Sequence, residues 1–255
     1  MFTLPEFQDE LIENLSKVNP RTIVEFFGGG NFDSHLWINQ VAALIETFYP
    51  GQNGGQALAE ILFGDVNPSG KLPVTFEKKI SDNPAFATFP PINTHPAAIP
   101  YSEGIFIGYR GYEHNHIESL FPFGFGLSYT TFAYSDLKVA PPQLNGNNHV
   151  NVSFTVTNTG NVAGAEIAEL YVGQQNPPIV RPIKELKGFQ KVFLQPGASQ
   201  KVSLELDQRS VAYFNTVIEQ WDGLPGTYNL LVGASSQDIR LSGQFSVKSE
   251  FTFQP

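Results

Sequence analysis

Two hydrophobic patterns divide the chain. In roughly the first 80 residues, apolar positions recur three or four residues apart or form short continuous runs, whereas from about residue 150 apolar and polar residues alternate. The first pattern is typical of helices that alternate with buried strands, and the second of strands with one buried face. The sequence therefore predicts an α/β part, a partial sandwich with a parallel or mixed sheet and helices, followed by an all-β sandwich.

A helix is predicted at the beginning of the chain. Thr3 and Glu6 fit a capping box, and Pro5 is compatible with a first helical turn. Asn19 and Pro20 end the pattern. One apolar stripe along this helix contains Phe7, Leu11, Leu15 and Val18, with Ile12 beside them.

The next fifty residues read as alternating strands and helices. Gly and Pro residues separate the apolar runs, and helix-forming residues cluster in one of them. The predicted elements are a strand at 22–27, a strand at 42–48, a helix at 56–63 stopped by Gly64, a turn at 67–70 and a strand at 71–76.

The second half of the chain shows the alternation of an antiparallel fold. A turn signal at 158–161 separates two of its strands. The predicted strands cover 150–157, 165–172, 184–190, 200–206, 210–214, 226–233 and 239–247. About seven strands with no helical stretch between them predict an immunoglobulin-like sandwich.

Composition narrows the possible functions. The net charge is −9 and the pI is near 5, which argues against a nucleic acid or an anionic membrane as partner. The absence of cysteine excludes disulfides and thiolate chemistry. No 18-residue apolar run and no signal-peptide pattern occur, so we expect neither a membrane span nor a signal peptide in this chain. No cofactor and no metal are expected.

Several spaced motifs resemble one enzyme family. Residues 49–76 read YPGQNGGQALAEILFGDVNPSGKLPVTF, and this run resembles the C-terminal part of glycoside hydrolase family 3, the β-glucosidase and β-xylosidase group. Further segments that resemble the same family are 4–24, 101–110, 120–132, 181–197 and 226–241. The last two are similar to the family's fibronectin type III-like domain. The resemblance extends from Leu4 to about Val247.

The resemblance implies a domain organisation. Residues 1–76 correspond to the C-terminal portion of the family's α/β sandwich domain, 77–132 to a connector, and 133–250 to the fibronectin type III-like domain. The earlier part of the family's sequence would be missing, so we expect self-association or pairing with the missing N-terminal part. The resemblance also suggests a periplasmic or secreted parent.

The same resemblance implies where the chemistry lies. A retaining glycosidase needs two carboxyl groups about 5 to 5.5 Å apart. In the family, the nucleophile is an Asp of the N-terminal barrel domain, and the acid/base is a Glu upstream of the segment that Leu4 begins. We therefore expect no catalytic residue in this chain. Glu103 precedes a glycine and is the alternative, but its context matches the connector.

Candidate substrate-contacting residues lie at the ends of the two predicted strands, because ligands of parallel sheets bind at the C-terminal ends of strands. These candidates are Asn31, Phe32, Asp33, Tyr49 and Gln52. Structural packing of the loops is the alternative role. In the full-length parent, the expected partner is a β-linked glucoside or oligosaccharide. A β-xylosidase and a non-catalytic carbohydrate- or partner-binding module remain alternative functions.

Three other motifs are weaker. Residues 64–71 nearly match a phosphate-binding loop, but the glycine spacing is wrong and a strand is expected to follow. Asp33, Ser34 and His35 are residue types of a hydrolase triad, although Asp33 is better explained as the N-cap of a helix at 34–40. His114 and His116 would need a further ligand to bind a metal.

Overall fold

The computed structural model describes residues 3–89 and 98–254. The chain forms two compact units, one of Met1–Val66 with Pro73–Pro122 and the other of Asn67–Leu72 with Phe123–Pro255. The chain therefore passes from one unit to the other three times. Residues 90–97 of the predicted connector lie outside the described residues.

The first unit contains a small parallel sheet with helices, as the sequence predicted. Strands β1 and β2 pair in parallel, with Ile23 opposite Ala43 and Phe26 opposite Glu46. The elements are α1 (Gln8–Val18), β1 (Ile23–Phe26), β2 (Ala43–Glu46), α2 (Gly54–Phe63), a 3-10 helix (Ile80–Asp82) and α3 (Tyr109–His114). Helix α3 was not predicted, because six residues are too few to show a helical period.

The predicted beginning of the first helix is wrong. Helix α1 begins at Gln8, and Phe7 stands at its N-cap without a side-chain cap. Glu6 has a φ of 54°, in the left-handed region, so residues 3–6 cannot form a first helical turn. The buried side chain of Leu4 holds this segment instead. The predicted end of the helix near Val18 is confirmed.

The apolar stripe of α1 is uncovered in the part of the chain that the structure describes. Phe7 and Val18 are 78% and 80% exposed, and Leu11 and Leu15 are also exposed. Strands β1 and β2 are likewise without a buried residue. Parallel sheets are normally covered on both faces. The first unit therefore presents apolar surface of the kind that another part of a protein usually covers.

Helix α2 matches its predicted end but starts two residues earlier, at Gly54. Gly64 closes it with a φ of 83°, which a glycine adopts without steric cost. The predicted strand at 71–76 is wrong. Pro73 has no N–H to donate to a sheet, and within these residues only Phe76 forms a bridge, opposite Phe121.

The second unit is the predicted β-sandwich. Two sheets, in the orders β4-β12-β11-β6-β7 and β3-β5-β8, contribute buried side chains to one core, and a small sheet has the order β13-β10-β9. The strands are β3 (Phe132–Ala140), β4 (Gln143–Leu144), β5 (Val150–Asn158), β6 (Gly164–Gln174), β7 (Glu185–Leu194), β8 (Ser199–Leu206), β9 (Tyr213–Asn215), β10 (Gln220–Gly223), β11 (Gly226–Gly233), β12 (Ile239–Val247) and β13 (Phe251–Phe253).

Two details of this unit differ from the predicted strands. Residues 210–214 are not one strand, because a 3-10 helix at Gln208–Ser210 is closed by a capping box with Asp207 and β9 begins only at Tyr213. Strand β3 was missed. Its register with β5 shifts around Asp136, whose φ is 56°, so the alternation of polar and apolar positions is interrupted.

Among the described residues, no helix has the length and apolar character needed to cross a membrane.

Candidate functional site

The two strand-end loops of the first unit lie side by side. Because β1 and β2 are parallel and in register, the loops at 28–34 and 47–53 leave the same edge of the sheet. Thr47 donates its backbone N–H to Phe26 and so continues the pairing. A Cβ placed on Gly29 would lie 2.6 Å from the Tyr49 hydroxyl oxygen. Gly29 therefore leaves the space that Tyr49 needs to reach the other loop.

Tyr49 and Gln52 lie at the surface of this loop pair. Tyr49 is 81% exposed, and Gln52 is also exposed. A tyrosine at such a position offers an apolar ring face and a hydroxyl that both donates and accepts hydrogen bonds. These two residues can meet a ligand without rearrangement of the loop.

Asn31 is anchored beneath the loop. Its Nδ2 donates to the backbone oxygen of Thr75 at 2.6 Å and also to Oε2 of Glu77. The other carboxylate oxygen of Glu77 accepts from Nδ2 of Asn83 at 3.1 Å. Glu77 is buried, and these amide donors satisfy both of its side-chain oxygens. The Asn31 side chain thus fixes the loop at 28–34 to the segment that follows residue 73.

Tyr112 packs into the same buried cluster. Burial, and after it the neighbouring carboxylate of Glu77, raise the pKa of the Tyr112 hydroxyl well above its ordinary value. The hydroxyl is therefore protonated throughout the physiological range. It contributes a neutral dipole next to Glu77 and cannot act there as a base.

Phe32 lies in the core of the first unit. Its ring centroid is 3.8 Å from that of Phe26, 6.1 Å from that of Trp37 and 5.9 Å from that of Phe76. The side chain is buried, as is that of Trp37, whose indole N–H donates to Asp9 at 2.8 Å. The ring of Phe32 therefore holds the loop onto the core of the first unit and does not lie at the surface beside Tyr49.

Asp33 shapes the turn that follows. Its Oδ1 accepts the backbone N–H of His35 at 3.1 Å and pairs with the imidazole of the same residue. The predicted helix at 34–40 is wrong, since these residues form successive turns. Asp33 nevertheless caps the first of them, as an Asp at such a position commonly does. The hydroxyl of Ser34 is buried, which does not suit a nucleophile.

Glu25 and Glu46 were not identified from the sequence. Each lies on a strand of the parallel sheet and has one buried carboxylate oxygen without a hydrogen-bond partner among the described residues. Burial raises the pKa of both carboxyls, and the backbone N–H of Phe48 partly offsets this for Glu46. A charged residue inside each otherwise apolar run, TIVEFF and ALIETF, was the signal available in the sequence.

The remaining sequence candidates lie elsewhere in the unit. One carboxylate oxygen of Glu103 is buried and has no hydrogen-bond partner among residues 3–89 and 98–254. The His114 ring stacks on Phe106, with centroids 3.9 Å apart. His116 has a left-handed φ of 54°. In the described part of the chain no three His, Asp or Glu side chains gather as metal ligands would.

The structure also explains residues 64–71, which nearly match a phosphate-binding loop in sequence. Gly64 is the C-cap of α2. Lys71 belongs to the second unit, where its ammonium lies 3.0 Å from Oε1 of Glu166, and both side chains are largely buried. The lysine that would contact a phosphate is therefore already paired.

Comparison with known proteins finds similarity along nearly the whole chain. The sequence profile of the glycosyl hydrolase family 3 C-terminal domain matches residues 1–129. The chain belongs to glycosyl hydrolase family 3. The profile of a fibronectin type III-like domain matches residues 166–236.

Relatives in the family 3 group are similar along nearly the whole chain. The chain is 44% identical over 247 residues to thermostable beta-glucosidase B of Acetivibrio thermocellus, covering 97% of this chain and 32% of that protein. It is 40% identical over 253 residues to the beta-glucosidase of Rhizobium radiobacter, covering 99% and 31%. The chain thus spans about a third of the length of these relatives.

Solved family 3 structures share the fold. The beta-glucosidase of Kluyveromyces marxianus in complex with glucose superposes with a TM-score of 0.91 at 38% identity, covering 99% of this chain and 30% of that one. Beta-glucosidase 3B of Thermotoga neapolitana in complex with alpha-D-glucose gives 0.91 at 38% identity, covering 100% and 35%.

Proposed function

We propose that this chain is the C-terminal portion of a retaining β-glucosidase that removes terminal β-linked glucose. The observation that carries the proposal is the similarity of nearly all its residues to proteins named as beta-glucosidases. That similarity favours a glucoside over the xyloside that family membership alone leaves open. The catalytic nucleophile and acid/base belong to the part of the enzyme that precedes Leu4.

Within that enzyme, the paired loops at 28–34 and 47–53 form part of the substrate-binding surface. Tyr49 and Gln52 are the residues through which this chain contacts sugar. Asn31, Phe32 and Asp33 support them, because their side chains are bound within the first unit. Stacking of a sugar ring on tyrosine and hydrogen bonds from an amide suit a neutral, hydroxyl-rich ligand.

A hybrid enzyme tests the proposal. In thermostable beta-glucosidase B of Acetivibrio thermocellus, the C-terminal third that matches this chain is replaced by residues 4–254. We expect the hybrid to hydrolyse an aryl β-glucoside, because the other two thirds of the relative supply the catalytic residues that the proposal places there. A soluble, folded hybrid without this activity would contradict the proposal.

The isolated chain provides the complementary test. We expect the purified 255-residue chain to release no aglycone from an aryl β-glucoside, because no pair of catalytic carboxyls is expected in it. Turnover by the chain that is lost on Glu103→Gln would show that Glu103 is catalytic and would overturn this expectation.

A further inference from the structure

A buried ionic cluster lies on strand β6 of the second unit. Glu166 and Glu169 are both buried, and Glu169 is only 4% exposed. The ammonium of Lys71 lies 3.0 Å from Oε1 of Glu166. The hydroxyl of Tyr171 donates to Oε2 of Glu169 at 2.5 Å. Two carboxyl groups are thus held close to one ammonium group away from water.

Two chain segments pair with each other over this cluster. Leu72 donates its backbone N–H to Phe125 at 2.8 Å, and Gly124 donates its own to Leu72 at 2.8 Å. The Lys71 ammonium reaches the backbone oxygen of Gly126 at 3.4 Å. Residues 67–72 and 123–126 are therefore paired through their backbones, and the side chain of Lys71 extends from this pair to Glu166.

Glu169 packs directly against this pair of segments. Gly124 has a φ of 81°, and a Cβ placed on it would lie 2.4 Å from Oε2 of Glu169. The absence of a side chain at Gly124 thus allows the carboxyl group to touch the backbone. Ionisation of Glu169 therefore places a negative charge directly against the backbone of Gly124.

Asn67 fixes the other end of the first segment. Its Nδ2 donates to the backbone oxygen of Ala163 at 3.0 Å. Its Oδ1 accepts from the Ser128 hydroxyl at 3.0 Å and from the Tyr129 backbone N–H at 2.8 Å. Residues 67–72 are consequently held at both ends within the second unit.

We propose that Glu169, Glu166 and Lys71 form a pH-sensitive clasp that holds residues 67–72 and 123–126 on strand β6 and loosens when Glu169 ionises. Hereafter the clasp means these three side chains and the two segments. It gives a role to the lysine of the NPSGK run that differs from ligand binding.

The groups around Glu169 determine its response to pH. Burial raises its pKa to about 7, and the Glu166 carboxylate acts in the same direction, whereas the Tyr171 hydroxyl and Lys71 act against the rise. Tyr134 of β3 is a further titratable group near it, and the charges of Arg240 and Asp238 act on the same tyrosine. The residues opposite Glu169 on the neighbouring strands are not titratable; they are Phe189 on β7 and Gly233 on β11.

The direction of the effect follows from this raised pKa. With the clasp open, water reaches Glu169 and its pKa returns to the ordinary value of 4.5. Between that value and about 7, the closed clasp holds a proton that the open one has released. The equilibrium therefore shifts toward the open clasp as pH rises from 4.5 to about 7. Above pH 7 Glu169 is ionised in both states, so the equilibrium no longer changes with pH.

Hydrogen exchange of the Leu72 and Gly124 amides tests the clasp. Protection factors are measured on the full chain from pH 5 to pH 8.5, with intrinsic exchange rates divided out. We expect protection to fall about tenfold per pH unit between pH 5 and pH 7 and to level off above pH 7. Glu169→Gln keeps the shape of the side chain but cannot ionise, so its profile should be flat.

Glu219→Gln is the matched control, because it removes an exposed carboxylate of the β9–β10 hairpin and should keep the wild-type profile. A second measurement is the ¹³C NMR titration of the Glu169 carboxyl in the unaltered chain, with an expected midpoint near pH 7. Identical exchange profiles in wild type and Glu169→Gln, or a midpoint in the ordinary range of glutamate, would overturn the proposal.

Discussion

At the scale of single residues, buried partners decide which polar side chains of the loops remain available. Asn31 and Tyr49 both follow apolar strands and look equivalent in the sequence. The structure separates them, because Asn31 donates to Glu77 while Tyr49 remains exposed. Glu77 lies 46 residues away from Asn31 in the chain. No local pattern could have predicted this bond.

Substitution of Glu77 tests the anchoring role. Glu77→Ala leaves the amides of Asn31 and Asn83 without their acceptor in a buried place, so we expect a loss of about 2 to 3 kcal/mol in the free energy of unfolding. Glu118→Ala is the control, because its ion pair with Lys78 is exposed and should contribute less than about 1 kcal/mol. Urea denaturation of the two variants provides the measurement, and equal losses would speak against the role.

Tyr49 can be tested in the hybrid enzyme described above. We expect Tyr49→Ala to raise KM for an aryl β-glucoside roughly three- to tenfold, because about 1 kcal/mol of ring contact with sugar is lost. Stability should change little, since the side chain is exposed. Tyr101→Ala removes another exposed tyrosine and should leave KM unchanged. An unchanged KM in Tyr49→Ala would remove Tyr49 from the sugar contacts.

At the scale of elements, predictions succeeded where burial dictates the pattern. Strand β5 alternates because one of its faces lies in the sandwich core, and its sequence shows this directly. Predictions failed where one residue altered the backbone. The left-handed φ of Glu6 moves the start of helix α1 to Gln8, and that of Asp136 interrupts the alternation of β3. Pro73 lacks the N–H that a strand at 71–76 would need.

Two phenylalanines of the sandwich show how burial determines stability. Phe154 on β5 is 1% exposed, whereas Phe189 on β7 is 65% exposed. We expect Phe154→Ala to lower the free energy of unfolding by about 3 to 5 kcal/mol through lost transfer energy and a cavity. Phe189→Ala should lower it by less than about 1 kcal/mol. Thermal or urea unfolding of both variants checks the difference, and a similar cost at the two positions would contradict it.

At the scale of the whole molecule, the two units differ in how completely they are covered. The second unit buries a continuous core from two sheets. In the first, β1 and β2 lack buried residues and the stripe of α1 is exposed. Family membership predicted this difference, because about two thirds of a relative's length lies outside the region that this chain matches.

Self-association is the outcome that we expect from this uncovered surface. Light scattering of the isolated chain should show a molecular mass that rises with concentration, because apolar faces associate when they lack a partner. Leu11→Gln combined with Val18→Gln should reduce the effect, and Glu10→Gln on the same helix should not. A monodisperse monomer at all concentrations would refute the expectation.

The position of residues 67–72 has a consequence for how such proteins can be divided and recombined. The β-sandwich is discontinuous in sequence, because a single six-residue piece, 67–72, is separated from the rest of the unit by fifty residues. A gene segment that begins at residue 123 would encode a sandwich without Lys71 and without the partner of Gly124, so that Glu166 and Glu169 would lie open to water. In this protein, therefore, the sandwich cannot be transferred intact as one continuous gene segment, because residues 67–72 lie between two stretches of the α/β unit.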